Sequence, residues 1–225
     1  MNKLIQGESL EVLKRATDNS IDLVVTDPPY KITARGNGGN SGGMFQKKEV
    51  NSGMVFEHNM IEIEEWLPEI YRVLKDKSHC YIMTNNKNIT HYLNVINDSD
   101  FHFIKNLIWV KDNKIMGQTY MSQFEYVIMV RKGGHKRINN CGDSDVAIFK
   151  NKKLKGEDNK TIHDTEKPVG LCELLISNSS NEGDTVLDPF MGIGGAGVAC
   201  KNLNRDFIGI ELDETYFKIA QERIE

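Results

Sequence analysis

The sequence predicts a single-domain α/β fold built on a mostly parallel sheet, and three observations carry that expectation. Short apolar runs alternate with segments of helical periodicity along most of the chain. Two of the runs end abruptly in motifs that break a strand, Asp27-Pro28-Pro29-Tyr30 and Asp188-Pro189-Phe190-Met191-Gly192-Ile193-Gly194. The length, 225 residues, suits one α/β core and is too short for two full domains with separate cores.

The elements follow in order. A short strand is expected near Lys3 to Gln6, a helix from Ser9 to about Ala16, and a strand at the apolar run Ile21 to Thr26. Ile61 to Leu74 places Trp66, Leu67, Ile70, Tyr71 and Leu74 on one helical face, and His79 to Thr84 reads as the next strand. Two β-rich segments, Phe101 to Val110 and Phe124 to Arg131, are close enough in sequence to form an antiparallel pair at the edge of the sheet. Pro168 suits the first turn of a helix running through Leu171, Leu174, Leu175 and Ile176. Strand Thr185 to Leu187, a glycine-rich turn, a helix to Leu203, strand Phe207 to Ile210 and a last helix follow.

Composition narrows the function classes. Hydrophobic residues make up 39% and charged residues 27%, an ordinary soluble balance. No apolar run approaches the roughly 18 residues of a membrane span, and MNKLIQGESL has no apolar signal stretch, so a cytoplasmic, membrane-free protein is expected. The four cysteines, Cys80, Cys141, Cys172 and Cys200, lie far apart and form no CxxC pair or Cys/His cluster, which predicts reduced, buried or semi-buried thiols and no metal site.

The formal charge of −4 argues mildly against nucleic acid, but its distribution matters more. From Arg131 to Lys160 there are nine Lys and Arg against four acids, a basic stretch that could follow a phosphate backbone or simply form a solvated loop. Two segments lack regular patterning. Residues 35–53, containing GNGGNSGG, closely follow DPPY and read as a mobile loop near the active site that orders on substrate, or as a disordered surface loop with no role. Residues 132–163 are long and polar, and read as a small target-recognition insertion in the single domain 1–225.

Each strand-ending motif suggests chemistry. Consecutive prolines fix φ and stop the strand, so Asp27 and Tyr30 are held with little freedom where ligands bind in open α/β sheets; a plain turn is the other reading. Gly192, Gly194 and Gly197 fit GxGxxG, allowing a tight turn against a ligand at a helix N-terminus. Glu211, at the end of the strand FIGIE, stands where a carboxylate accepts both ribose hydroxyls; a surface acid capping the helix that starts near Asp213 is the other reading. No GK[ST] follows the glycines, which argues against a P-loop. A nucleotide-binding, dehydrogenase-like module stays open on this motif alone, but the turn's position near the end of the sequence disfavours it.

Together, the two motifs resemble the catalytic and cofactor motifs of the DNA amino-methyltransferases, in the order of their permuted beta group. The likeness covers nearly the whole chain. Gly7-Glu8-Ser9-Leu10 is similar to the family's Gly-Asp-x-Leu element, Trp66 to Lys75 to its helix, and Ile108-Trp109-Val110-Lys111 to its WxK strand. His163-Asp164-Thr165-Glu166-Lys167-Pro168 matches its HxTEKP segment, and Ile208 to Ile224 its tail. This sequence departs from the pattern at Glu8, in place of Asp, and at Gly195-Ala196, in place of hydroxyl residues.

The resemblance implies a circularly permuted, Rossmann-like S-adenosylmethionine methyltransferase fold, with seven strands in the order 3-2-1-4-5-7-6 and strand 7 antiparallel. It implies S-adenosyl-L-methionine as cofactor and double-stranded DNA as partner, with a homodimer among the arrangements it allows. Phe190, Gly192, Gly194 and Glu211 would hold the adenosyl part, with Asp188 and Asp27 beside the cofactor. Thr165, Lys167 and Pro168 would lie near its methionine part, and Glu8 and Ser9 near its adenine. Asp27, Pro28, Pro29 and Tyr30 would act on a flipped base. Asp at position 27 favours N6 of adenine over N4 of cytosine, which remains the alternative.

Overall fold

A computed structural model of the chain describes residues 2–29, 61–115, 120–150 and 166–225. Eight strands form one sheet: β1 (Asn2–Gln6), β2 (Ile21–Thr26), β3 (Leu74–Thr84), β4 (His102–Ile115), β5 (Ser122–Arg131), β6 (Val146–Ile148), β7 (Thr185–Asp188) and β8 (Asp206–Glu211). Among the described residues six helices accompany them: α1 (Ser9–Lys14), α2 (Ile63–Val73), α3 (Ile89–Asn97), α4 (Val169–Ser179), α5 (Gly195–Asn202) and α6 (Glu214–Ile224). The sheet order is β1-β8-β7-β2-β3-β5-β4-β6. Its first seven positions reproduce the expected 3-2-1-4-5-7-6 arrangement, and β5 runs antiparallel to both β3 and β4.

The sheet has eight strands rather than the expected seven. Val146–Ile148 lies parallel to the outer edge of β4, and Ile108 N donates to Asp145 O at 2.8 Å. An unpaired strand edge exposes a row of backbone donors and acceptors, and this three-residue strand covers part of it. Ala147 of β6 is buried, and Trp109 Nε1 donates to Phe149 O at 3.1 Å. Part of the segment expected to be an insertion therefore belongs to the sheet. A three-residue run in a polar stretch has too little alternation to announce itself.

Alternating residues of the central strands feed two apolar layers, as expected for parallel strands covered on both faces. Leu23 and Val25 of β2 pack with Leu171, Leu175 and Ile176 of α4, Ala196 and Ala199 of α5, and Ala220 and Ile224 of α6. Ile21 and Val24 pack with Leu13 of α1, Trp66, Leu67 and Ile70 of α2, and Tyr92 and Ile96 of α3. Helix α2 starts two residues later than its periodicity suggests, at a capping box between Glu62 and Glu65, and passes at Leu74 straight into β3. Ile89, Tyr92, Leu93 and Ile96 fall at i, i+3, i+4 and i+7, the spacing of one helical face that marks α3, an element additional to those expected from the sequence. Among the described residues, no helix is long and apolar enough to cross a membrane.

Candidate active site

The two strand-ending motifs become neighbours because β2 and β7 pair in parallel, Leu23 with Val186 and Val24 with Leu187. Chain order diverges here, β7 leading to β8 on one side and β2 to β3 on the other, which makes their carboxyl ends the switch point of the sheet. Thr26 Oγ1 donates to Asp188 Oδ1 at 3.0 Å, joining the motifs through buried side chains. Phe190 N also donates to Asp188 Oδ1, at 3.1 Å. Burial nevertheless dominates at Asp188 and pushes its carboxyl up to about 7.

Asp27 is held by an ion pair. Lys167 Nζ donates to Asp27 Oδ2 and lies 3.6 Å from Glu125 Oε2, while Lys111 pairs with Glu125 Oε1. Asp27 Oδ1 is sealed from solvent and has no hydrogen-bond partner among the described residues. Burial raises the Asp27 carboxyl, and Lys167 opposes this only in part. Burial pushes Glu125 the same way, yet Lys167 and Lys111 together outweigh it and hold Glu125 below its ordinary range. The result is a covered carboxylate with one oxygen fixed and one open.

The glycine turn is shaped by backbone and by close packing. Gly192 and Gly194 have φ of 53° and 82°, in the left-handed region that glycine reaches without strain. A Cβ on Gly197 would lie 2.3 Å from Ile224 Cδ1 and 2.7 Å from Phe207 Cε1, so helix α5 can approach α6 and β8 only without a side chain there. Glu211, at the end of β8, accepts from Gly192 N through Oε2 and from Asp213 N through Oε1, both at 2.8 Å. Each carboxylate oxygen keeps a lone pair, so the group can shape the turn and still receive two hydroxyls. Burial raises Glu211 above its usual range.

Neighbouring residues fix the site's walls. Ser9 Oγ donates to Pro189 O at 2.5 Å, which latches the start of α1 to the second motif. The Glu8 carboxylate caps α1, accepting from Leu10 N and Glu11 N at 3.0 and 2.8 Å. The ring of Phe190 meets Trp66 edge-on, with centroids 5.8 Å apart. Pro168 is the N-cap of α4. Arg223 donates to Glu166 Oε1 at 2.7 Å and to Ile193 O at 2.6 Å, tying the segment that carries Lys167 to the glycine turn.

The structure thus gathers Asp27, Lys167, Asp188, Phe190, Gly192, Gly194 and Glu211 along one edge, with Ser9 behind them. Lys167, expected beside a cofactor, is engaged by Asp27. Tyr30, Thr165, residues 35–53 and the stretch 151–163 lie outside the described residues. Glu125 and Lys111 join the site from β5 and β4 without having been singled out as site residues. Their signal was a Lys and a Glu on adjacent strands rich in apolar residues, where unpaired charge is rare. Three cysteines are buried as expected, but Cys141 is exposed. Glu62, Glu64 and His91 bring possible ligand atoms within 4.8 Å of one another on the exposed surface.

The permuted strand order, with a glycine turn and a covered carboxylate on adjacent strand ends, defines the class of a Rossmann-like methyltransferase. A family model described as DNA methylase matches residues 21–222, and the chain belongs to that family. It is 32% identical to the Type II methyltransferase M.HpaI of Haemophilus parainfluenzae, across 99% of this chain and 74% of that one. It is 28% identical to the Type II methyltransferase M.HinfI of Haemophilus influenzae, across 100% of this chain and 68% of that one. Among solved structures, M1.HpyAVI in complex with SAM is similar at 25% identity and a TM-score of 0.73, with both chains fully covered. PvuII DNA methyltransferase, cytosine-N4-specific, shares the fold at 16% identity and a TM-score of 0.75, with this chain fully covered and 86% of that one.

Proposed function

We propose that this chain transfers a methyl group from S-adenosyl-L-methionine to the exocyclic N6 of an adenine flipped out of double-stranded DNA. Asp27 carries the reading: Oδ1 is a covered acceptor without a partner among the described residues, beside a turn suited to an adenosyl group. The cofactor supplies an electrophilic methyl on a sulfonium. Phe190, Gly192, Gly194 and Glu211 would hold its adenosyl part, with Asp188 beside it.

The amino lone pair of adenine is delocalised into the ring, so the nitrogen attacks poorly unless acceptors hold its hydrogens. Asp27 Oδ1 and the Pro28 carbonyl provide two. Positive charge develops on the nitrogen as the new bond forms, and a carboxylate already in place stabilises it without reorganising. Burial, by raising Asp27, also favours its taking up the proton that leaves. Tyr30 would stack on the base.

Adenine is favoured because the resemblance links Asp in the first position of this motif to N6 chemistry. The test is to incubate unmethylated plasmid DNA with the purified chain and S-adenosyl-L-methionine, then analyse the nucleosides by mass spectrometry. N6-methyladenine is expected. N4-methylcytosine would overturn the adenine assignment, and unmodified DNA would overturn the reading altogether.

A further inference from the structure

Four charged side chains from four segments form a line of alternating sign that ends at Asp27. Lys111 of β4 pairs with Glu125 Oε1 of β5, Glu125 Oε2 lies 3.6 Å from Lys167 Nζ, and Lys167 donates to Asp27 Oδ2. The side chains of Lys111, Glu125 and Lys167 are 7%, 14% and 8% exposed, so little water screens these charges. Lys111 also lies 5.0 Å from the centroid of the Trp109 ring. Asp27 Oδ1 and Glu125 Oε2 are both buried without a hydrogen-bond partner among the described residues.

We propose that Glu125 is a positioning residue for methyl transfer: by holding Lys111 and sharing Lys167, it keeps a second ammonium group off Asp27 Oδ1. The inference rests on the catalytic reading of Asp27. Two cations and two carboxylates balance along the line. With an amide at position 125, two buried ammonium groups face Asp27 as the one carboxylate left in the line. A buried charge without a partner is strongly unfavourable, so it moves to whatever acceptor remains. An amide oxygen at position 125 still accepts a hydrogen bond but carries no charge to balance Lys111, so the ammonium is drawn toward Asp27, whose uncommitted atom is Oδ1, the atom the amino group needs.

Charge balance separates this role from simple packing. Removing Lys111 together with Glu125 deletes one charge of each sign and leaves the Lys167–Asp27 pair neutral, with Oδ1 open again. A packing role predicts that the double variant is worse than the single one, because more contacts are lost.

The test compares Glu125→Gln, Lys111→Met/Glu125→Gln and Asp27→Ala by single-turnover methyl transfer, DNA affinity and melting temperature. Glu125→Gln should slow transfer by at least about tenfold, in keeping with the loss of a preorganised acceptor, with a much smaller change in DNA affinity. The double variant should recover most of that loss, a coupling that a double-mutant cycle reads directly. A Glu125→Gln enzyme with the unsubstituted rate, or a folded double variant no faster than Glu125→Gln, overturns the proposal. Should Glu125→Gln not fold, a double variant as slow as Asp27→Ala does the same. Near-normal transfer by Asp27→Ala would instead overturn the catalytic reading beneath it.

Discussion

Asp188 ties the stability of this fold to pH in a direction opposite to most carboxylates. Its side chain is 6% exposed, and burial moves its carboxyl from 3.8 to about 7 in the folded chain. Between those values the unfolded chain has released the proton and the folded chain still holds it. Stability is therefore fully present below about pH 4 and falls as pH rises to about 7. At roughly 1.4 kcal/mol per unit, the shift amounts to up to about 4 kcal/mol. Other carboxylates contribute their own slopes, so the comparison that isolates the effect is Asp188→Asn. The amide stays neutral and can still accept from Thr26 Oγ1 and Phe190 N. Urea unfolding of both proteins from pH 4.5 to 8.5 should show the variant gaining on the unsubstituted chain as pH rises, levelling off above about 7.5. A difference that stays flat across that range would refute the assignment of a buried, protonated Asp188.

Three further outcomes are expected. Asp27→Ala should cut single-turnover methyl transfer by about 10² to 10³, while DNA affinity falls much less; a folded variant with near-normal turnover would reduce DPPY to a turn. Glu211→Ala should weaken S-adenosylmethionine binding at least tenfold in calorimetry, since each charge-assisted bond contributes about 1.5 to 3 kcal/mol, and unchanged affinity removes Glu211 from the site. Neutralising Arg131, Lys136 and Arg137 should flatten the salt dependence of DNA binding by roughly one slope unit per lost phosphate contact, and an unaltered slope excludes that surface. Lys132 is left out of that set because its ammonium is spent on the protein, donating to Asn19 Oδ1 at 2.8 Å and to the Tyr71 and Leu74 carbonyls at 2.7 Å.

The fold was legible where local signals agree. Apolar runs bounded by DPPY and by DPFMGIG marked β2 and β7, and the family resemblance supplied the order in which the strands pair, which no local pattern encodes. Strand β6 was hidden because its stability comes from the edge of β4 and from burying Ala147, both tertiary effects. At the site, residue types singled out Asp27, the glycines and Glu211 as candidates, whereas contacts depended on what lies across the sheet. The resemblance places Lys167 near the cofactor and Glu8 near its adenine; the fold adds that the Lys167 ammonium is bonded to Asp27 and that Glu8 caps α1. Glu125 acquires meaning only when β5 brings it between two lysines, a relation with no fixed spacing in sequence.

The pairing of β1 with β8, Asn2 opposite Phe207, affects how the molecule comes into being. On the ribosome, β1 and β2 emerge early, while the strands that lie between them, β7 and β8, arrive late. Until then Asp27 has no Asp188 beside it, and the apolar faces of the early strands wait without their inner neighbours. A nascent chain interrupted before Thr185 lacks the glycine turn, Glu211 and Arg223. The two strand-ending motifs therefore become neighbours only once β7 and β8 have been made. Before that pairing, the exposed apolar faces of the early strands are of the kind that favours aggregation.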